Sequence, residues 1–461
     1  MASEFGHVTY SCQYEETHYN YLVRLATTHG EQFYYDGDTL RFGRFPFPEK
    51  AIQLTFGRNV DQVDIQMKAL HVKPSYYGYN SNRHQPLYTG ASQIKHESSL
   101  GQSAYKISQN TFTTHALQVA PLRAHTSKDL DAAQNSAAGS RSVDTFVTSG
   151  RSTVPFLYPS CLVEMEMIRP GTKKASYFTR LMIVGVEHHV DKLGNYTGHF
   201  EAVGHGTGYL PAVDYKQPKA EPQFATVIDN KDEKGRVQVR FDWQGQAEQS
   251  DWMRVLSPDA GSSEKVSKNR GFMAIPEVGD QVMVGFVHGN PDRPYVMGGL
   301  FHGQVAAGGG SGNNVKSLSS KSGHTVELND AGGITVMDKG QNFLILDGAG
   351  NADLTTQDSI TISCGASSIY INKDGDIVIK GKNIVTLGEN IGVSGSATVG
   401  VGVGPEEGTP TSGIGINPTE LNIGTEILTM EGFSESNLGG AKINIGGGTE
   451  TNISSGTIKL N

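Results

Sequence analysis

The sequence predicts a mainly β protein whose last third is a ribbon of short strands. Gly is abundant, with 57 in 461 residues, whereas only 18% of the residues are charged, which is typical of chains rich in strands and tight turns. From about Val315 to Asn461, apolar and polar residues alternate in short runs separated by Gly, Asn, Asp or Ser, the pattern of strands and turns. These runs recur after roughly seven to ten residues, the spacing of a solenoid or prism.

Isoleucine pairs mark the strands of this ribbon, which we define as residues 315–461. One residue separates the two members of each pair, so both side chains point to the same face of a strand. The ribbon has three aromatic residues, no Trp and no Arg, so one copy has little material for a core. The predicted structural positions are Ile360, Ile362, Ile369, Ile371, Ile377, Ile379, Ile443 and Ile445.

Self-association is the expected solution to this lack of a core. We predict that three ribbons wind together into an intertwined, trimeric β-prism or β-helix, which hides the Ile and Val side chains inside and leaves few free strand edges. The alternative is a flexible, low-complexity tail, because Gly and Ser are abundant. The sustained alternation of Ile and Val favours the prism.

Charge and cysteine content exclude several classes of protein. The formal net charge is −9, and from residue 303 onward there are 16 acidic and 8 basic side chains, so an acidic ribbon argues against nucleic-acid binding. No run of eighteen apolar residues predicts a membrane span, and no signal-peptide core is present at the start. Cys12, Cys161 and Cys364 lie far apart, which fits synthesis in the cytoplasm rather than a disulfide framework or a metal cluster.

The first 210 residues predict a β-barrel-like body with a helix. A helix is expected over residues 16–30, ending at Gly30, and a hairpin over residues 32–42. Residues 124–151 are small and polar and fit either a surface helix or a partly ordered insertion. Strands are expected at Leu162–Met167 and over residues 177–190 and 196–203. The predicted apolar face of the helix consists of Tyr19, Leu22, Val23 and Ala26.

A second domain is predicted after a linker rich in Pro, Lys and Gln at residues 211–222. Five short strands over about 80 residues fit a small closed barrel of the OB type. Gly279 is expected to form the turn before the long strand of this barrel, and Pro291 and Pro294 to fix the loop that follows it. Trp243 and Trp252 are expected to pack in the barrel or in a contact of the trimer.

Motifs in this segment resemble the OB barrel of VgrG spike proteins of type VI secretion systems, which are similar to phage tail hub–spike proteins. The motifs lie at Gly235–Trp243, Trp252–Val255, Glu277–Phe286, His288–Pro294 and Gly298–Gly299, and the stretch Gln13–Gly30 resembles the hub domain of the same family. The resemblance implies a hub-like domain at residues 1–210, incomplete at its N-terminus, the linker at 211–222, an OB-fold domain at 223–303 and a trimeric spike at 304–461.

The function that the resemblance implies is structural. The chain would be the trimeric spike of a contractile injection apparatus, capping the inner tube, puncturing target envelopes and carrying tip or effector proteins. Its expected partners are two further copies of itself, inner-tube and baseplate proteins, and a conical tip protein at the C-terminal end. We expect it to be made in the cytoplasm, assembled into the apparatus and translocated into the target.

Residues that suggest chemistry have simpler explanations in the sequence. His188 and His189 are adjacent on a predicted strand and point to opposite faces, so they cannot share a metal ion, and His199 and His205 fit surface or edge positions. Residues 372–376 resemble a calcium loop, but Ile377 stands where an EF-hand needs Gly, which favours a turn. We therefore predict no catalytic residue, cofactor or metal ligand. A tailspike hydrolase of polysaccharide or peptidoglycan and an adhesin are the alternative functions.

Overall fold

The computed structural model describes residues 8, 10–43, 48, 50–114, 116–169 and 171–393, and beyond them the backbone of three strands between Val399 and Gly424. The chain divides into two units, Met1–Lys316 and Ser317–Asn461. The elements of the first unit, in chain order, are α1 (His18–His29), β1 (Gln32–Tyr35), β2 (Leu40–Gly43), β3 (Ala51–Phe56), β4 (Val60–Met67), β5 (Pro74–Asn80), β6 (Gln85–Tyr88), α2 (Ser99–Thr111), β7 (Ala116–Val119), α3 (Ser127–Val143), β8 (Phe146–Ser152), β9 (Leu162–Ile168), β10 (Ala175–Val190), β11 (Tyr196–Gly204), β12 (Gln223–Asp229), β13 (Gln238–Phe241), β14 (Ala260–Gly261), β15 (Arg270–Gly271), β16 (Gln281–Phe286) and β17 (Pro294–Gly299).

Helix α1 ends at Gly30 as the sequence predicts but begins two residues later than expected, at His18. The side chain of Thr17 accepts a hydrogen bond from the backbone of Asn20, and Gly30 ends the helix at a φ of +78°, a conformation that glycine adopts without strain. The predicted apolar face is partly wrong, because Tyr19 and Leu22 are exposed. The buried residues of the helix are Val23, Arg24, Ala26 and Thr28.

A closed six-stranded barrel in the order β10-β11-β8-β4-β3-β9 confirms the predicted β-barrel-like body. Strands β9, β10 and β11 form an antiparallel meander, and a parallel pairing of β3 with β9 closes the barrel. The long, twisted strand β10 contains two register shifts, as barrels require for closure. The interior contains Leu54, Val60, Ala104, Phe146, Val154, Leu157, Cys161, Val163, Met165, Leu181, Ile183, Phe200 and Ala202.

A three-stranded sheet in the order β6-β5-β7 lies outside the barrel. Helix α3 packs on it through Leu130 and Ala133, which are buried against Tyr76 and Leu87. Residues 127–143 therefore form a helix, as one of the two alternatives predicts, but the helix is packed against its neighbours rather than lying on the surface. The small side chains that suggested exposure instead allow close packing of the helix against its neighbours.

The second domain of this unit is a small barrel built on an antiparallel sheet in the order β13-β12-β16-β17. The segment around Met253 closes this barrel through two isolated β-bridges. Met253 pairs with Val237, next to β13, and Val255 pairs with Val296 in β17. The fifth strand predicted for this domain is thus a pair of bridges rather than a regular strand. The interior contains Ala225, Val227, Val237, Val239, Phe241, Met253, Val282, Val284 and Val296.

The ribbon consists of consecutive antiparallel strands, each beginning seven to ten residues after the previous one as far as Lys380. They form one five-stranded and two three-stranded sheets, each in sequence order. Ile443 and Ile445 lie outside the described residues. The strands are β18 (Val315–Ser319), β19 (Thr325–Asn329), β20 (Ile334–Met337), β21 (Phe343–Leu346), β22 (Ala352–Thr355), β23 (Ser359–Cys364), β24 (Ser367–Asn372), β25 (Ile377–Lys380), β26 (Val399–Val403), β27 (Ser412–Ile416) and β28 (Leu421–Gly424).

Candidate functional site

The five-stranded sheet of the ribbon has one apolar face that no described residue covers. The strand register brings apolar side chains opposite one another along two rows of this face, and their exposed fractions range from 37% to 51%. The opposite face is mixed, because Glu327, Thr335 and Asp353 lie on it together with Met337, Phe343 and Ile345. We call the following set the apolar ribbon face: Val326, Leu328, Ile334, Val336, Leu344, Leu346 and Leu354.

The next sheet repeats this arrangement with isoleucines. Register places Ile360, Ile371 and Ile377 opposite one another in one row, and Ile362, Ile369 and Ile379 in a second row. The six predicted positions that the structure describes therefore share one face of a single sheet. Ile362, Ile369, Ile377 and Ile379 are exposed.

Both apolar faces lack an intramolecular core. Among the described residues, every cluster of buried apolar side chains lies within the first unit, and none includes a residue beyond Val296. Contiguous exposed apolar surface of this kind marks a protein interaction site. The ribbon therefore presents a surface suited to association rather than a pocket suited to catalysis.

Repeated side-chain-to-backbone hydrogen bonds hold the hairpins of the ribbon. Asp338 Oδ1 accepts from the backbone N–H groups of Gly340 and Asn342, and Asn342 Nδ2 donates to Asp338 Oδ2 at 2.9 Å. Asp347 and Asn351 repeat the arrangement. These bonds lower the pKa of both aspartates, because they stabilise the charged form. The sequence analysis missed this turn, whose signal is an Asp followed four residues later by Asn.

The segment at residues 372–376 is a turn of the same family, as predicted. Asn372 Oδ1 accepts from the backbone of Asp374 and Asp376, and its amide donates to Asp376 Oδ2 at 2.9 Å. Two of the three side chains that resembled calcium ligands, those of Asn372 and Asp376, thus bind each other within the turn. No group of three or more potential metal-binding His, Cys, Asp or Glu residues occurs in the described part of the chain.

The structural residues predicted for the second barrel lie in different surroundings. Gly279 has a φ of +100° just before β16, Pro291 is buried, and Pro294 begins β17. Trp243 is 56% exposed and lies outside the barrel interior, where it stacks on Phe241. Trp252 also lies outside that interior, in a pocket shared with β5.

A buried ionic cluster joins the second barrel to α1. Arg24 is 2% exposed and donates to Glu16 Oε1 at 2.8 Å and to Asp292 Oδ2 at 2.6 Å. Asp292 also accepts from the hydroxyl of Ser11 and the backbone N–H of Cys12. Burial alone would lower the pKa of Arg24, but the hydrogen bonds and the two carboxylates outweigh it and raise that pKa. The sequence analysis missed this cluster.

The histidines that the sequence singled out are separated. His188 Nδ1 lies 2.6 Å from the hydroxyl of Tyr196, and His189 follows it on an exposed strand end. His199 is exposed, as expected. His205 is 8% exposed and lies 3.4 Å from Glu97 Oε2, so its prediction as a surface or edge residue is wrong, because the end of β11 is covered by the segment before α2.

Sequence comparison identifies the second barrel. Residues 223–301 match the family model of the type VI secretion system/phage-baseplate injector OB domain. The chain is a relative of the VgrG spike proteins. It is 36% identical over 118 residues to the type VI secretion system spike protein VgrG5 of Pseudomonas aeruginosa, covering 23% of this chain and 14% of the relative. It is 32% identical over 160 residues to VgrG1a of the same organism, covering 31% of this chain and 24% of the relative.

The matches to VgrG proteins are partial. The chain spans less than a third of the length of either P. aeruginosa relative. Among solved structures, that of the E. coli c3393 protein, a component of the type VI secretion system, gives a TM-score of 0.35 at 16% identity, covering 63% of this chain and 62% of the other. The predicted mainly β fold with an OB barrel is confirmed. No helix among the described residues is long and apolar enough to cross a bilayer.

Proposed function

We propose that this chain is a structural spike subunit of a contractile injection apparatus of the type VI secretion kind, and that it acts as a homotrimer. The apolar ribbon face supports the trimer most directly, because seven large apolar side chains would otherwise remain in water. Three copies related by a threefold axis would bury these faces against one another. The match of the OB domain to the injector family and the similarity to VgrG spike proteins support a role in an injection apparatus.

The mechanism is mechanical. A closed trimeric rod has every strand paired within or between chains, so axial force from a contracting sheath is spread over many backbone hydrogen bonds. In this proposal the first unit docks on the inner tube and baseplate, the ribbon leads into the target envelope, and a conical tip protein or an effector binds at its end. Isoleucines of the second ribbon sheet would pack along the axis, and Trp243, exposed beside β13, would contact a neighbouring copy.

The alternative of a tailspike hydrolase needs two carboxylates facing each other across a groove. The OB domain does contain a groove with a volume of about 1040 Å³. Asp259 is the one carboxylate among its lining residues, and it pairs with Arg270 at 2.9 Å. The groove therefore does not favour glycoside hydrolysis, and an assay of sugar release from peptidoglycan and capsular polysaccharide is expected to show no activity.

Two variants on neighbouring residues of β20 test the proposed function in cells. A strain lacking its own copy of the gene is complemented with Val336→Lys or with Thr335→Lys, and release of the inner-tube protein into the medium is measured. Val336→Lys places a charge within the apolar ribbon face and is expected to abolish release. Thr335→Lys, on the other face and directly across from Glu327, gains an opposite-charge neighbour and is expected to preserve release. Equal release from both variants would contradict the proposal.

A further inference from the structure

A small pocket lies between the three-stranded sheet of β5–β7 and the OB domain. Its walls come from the aromatic residues Tyr77 and Tyr79 of β5, from Arg123 after β7, and from the OB-domain segments that contain Trp252 and Arg293. Its volume is about 230 Å³, below the range that holds a drug-sized ligand. The pocket therefore suits a single small chemical group.

Positive charge dominates the lining of this pocket. Arg123, Arg254 and Arg293 all contribute to it together with His288, and none of its lining residues is acidic. Arg123 Nη1 pairs with Asp251 Oδ2 at 2.7 Å, outside the lining. The guanidinium of Arg254, an exposed residue, lies 6.0 Å from the centre of the Tyr79 ring, within reach of a cation–π contact. We call this site the arginine pocket.

Arg293 provides the strongest indication of a ligand. Its Nη1 atom is buried and has no hydrogen-bond partner among the described residues, an unfavourable state for a charged donor. Burial is the main cause that lowers the pKa of Arg293, and repulsion from Arg123 adds to it. The neighbouring carboxylate of Asp292 cannot compensate for this charge, because it binds Arg24, Ser11 and Cys12 on the other side of the loop.

The backbone holds Arg293 in position from both sides of the pocket. Its N–H donates to the carbonyl of Asn290 at 2.9 Å, and Asn290 Nδ2 in turn donates to the carbonyl of Pro121 at 2.7 Å. Pro291 and Pro294 restrict the loop further. The backbone at Arg293 is thus fixed before any ligand arrives, so binding needs to order only the side chain, which reduces its entropic cost.

We propose that the arginine pocket binds an oxyanion group, either a phosphate or a carboxylate. The planar guanidinium groups of Arg293 and Arg254 can each donate two parallel hydrogen bonds to such a group. Tyr77 and Tyr295 also line the pocket, and a tyrosine hydroxyl can donate a hydrogen bond to such a group. The ligand is either a free phosphate-type ion or an acidic side chain of a protein, and these two sources present the same chemistry.

Titration of the full-length protein tests this proposal, with inorganic phosphate and glutarate as separate probes and with ionic strength held constant by NaCl. Calorimetry and thermal unfolding are expected to show saturable binding of at least one probe and a rise in Tm on binding. Saturation by phosphate indicates a free phosphate-type ion, whereas saturation by glutarate alone indicates a carboxylate side chain. Absence of saturable binding of both probes would overturn the proposal.

Single-residue variants test whether the anion binds in the arginine pocket or at another positively charged part of the surface. Arg293→Gln is expected to weaken binding at least tenfold, and Arg254→Gln, at an exposed position, several-fold. Arg58→Gln, in an exposed turn of the barrel, is the matched control and should bind normally. In anion-free buffer, Arg293→Gln should unfold at the same Tm as the wild type or at a higher one, because it removes a buried charge without a partner. Unchanged affinity in both pocket variants would place the ion elsewhere and refute the proposal.

Discussion

Arg24 is the residue on which the junction between α1 and the OB domain depends. Replacing it with Met would leave the carboxylates of Glu16 and Asp292 close together without a counter-charge. We expect Arg24→Met to lower the free energy of unfolding of the first unit by about 3–5 kcal/mol, the typical cost of breaking a buried ion pair. Urea unfolding followed by tryptophan fluorescence measures this change.

The matched control is Arg41→Gln, which removes an exposed ion pair with Asp36. Its effect is expected to stay within about 0.5 kcal/mol, because water screens exposed pairs. Equal losses in the two variants would show that burial of Arg24 does not determine its contribution.

His96 gives the first unit a predictable dependence on pH. It is 5% exposed, and burial lowers its pKa to about 4. The folded state therefore holds the neutral ring while the unfolded chain binds a proton below pH 6.5, so stability is full above that pH and falls until the pH reaches about 4. Between pH 7 and pH 5 the expected loss from His96 is about 2 kcal/mol.

The measurement compares the wild type with His96→Gln in urea at both pH values. His29 and His205 also have lowered pKa values because they are buried, so the variant should keep a smaller pH dependence rather than none. If His96→Gln loses as much free energy of unfolding between pH 7 and pH 5 as the wild type does, the pH dependence does not come from His96.

Residue-scale contacts across long stretches of sequence are what the sequence analysis could not predict. Arg24 and Asp292 are 268 positions apart, and Arg24 lies on a helix whose apolar spacing indicated a different buried face. Asp292 belongs to a loop whose prolines identify it as a turn. The residues around Asp292 do not indicate which residue pairs with its carboxylate. Only the fold brings the two together.

At the scale of elements, local patterns predicted most of the architecture. The terminal Gly30 of α1 and the hairpin that follows it are signalled by neighbouring residues, and so are the alternating strands of the ribbon. The parallel pairing of β3 with β9 and of β5 with β7 is different, because each joins segments distant in sequence. Periodicity within a strand carries no information about such a partner.

Helix α3 offers a test of its close packing. A methyl group added to Gly139 would overlap the ring of Tyr209. Alanine favours helix by about 1 kcal/mol relative to glycine, but the overlap costs about 1–3 kcal/mol or more, so Gly139→Ala is expected to destabilise the first unit overall. Thermal unfolding measures the change, and Lys128→Ala at an exposed position of the same helix should leave Tm nearly unchanged. A raised Tm for Gly139→Ala would contradict the packing.

The Asp–Asn turn can be tested in the hairpin between β10 and β11. Asp191 Oδ1 accepts from the backbone N–H groups of Leu193 and Asn195. These bonds and the amide of Asn195 lower the pKa of Asp191, so the turn is stabilised above the ordinary pKa of about 3.9 and loses this support as the pH falls through the lowered value. Asp191→Ala should speed amide hydrogen exchange at Leu193 and Asn195, whereas Lys192→Ala should not. Unchanged exchange in Asp191→Ala would refute the role of the carboxylate.

At the scale of the whole molecule, the two units differ in what stabilises them. The first unit has two barrels with apolar interiors of their own. The described part of the ribbon has well-paired strands and no interior. Backbone pairing alone rarely stabilises a single-layer sheet in water, so we expect the ribbon to be stable only when it associates. Composition points the same way, because three aromatic residues and no Trp provide little material for a core.

Sedimentation velocity of the full-length protein over a hundredfold range of concentration tests the central claim most directly. We expect one species with three times the chain mass of 49.5 kDa, because three apolar ribbon faces are buried together. A single species with the mass of one chain at all concentrations would contradict the account.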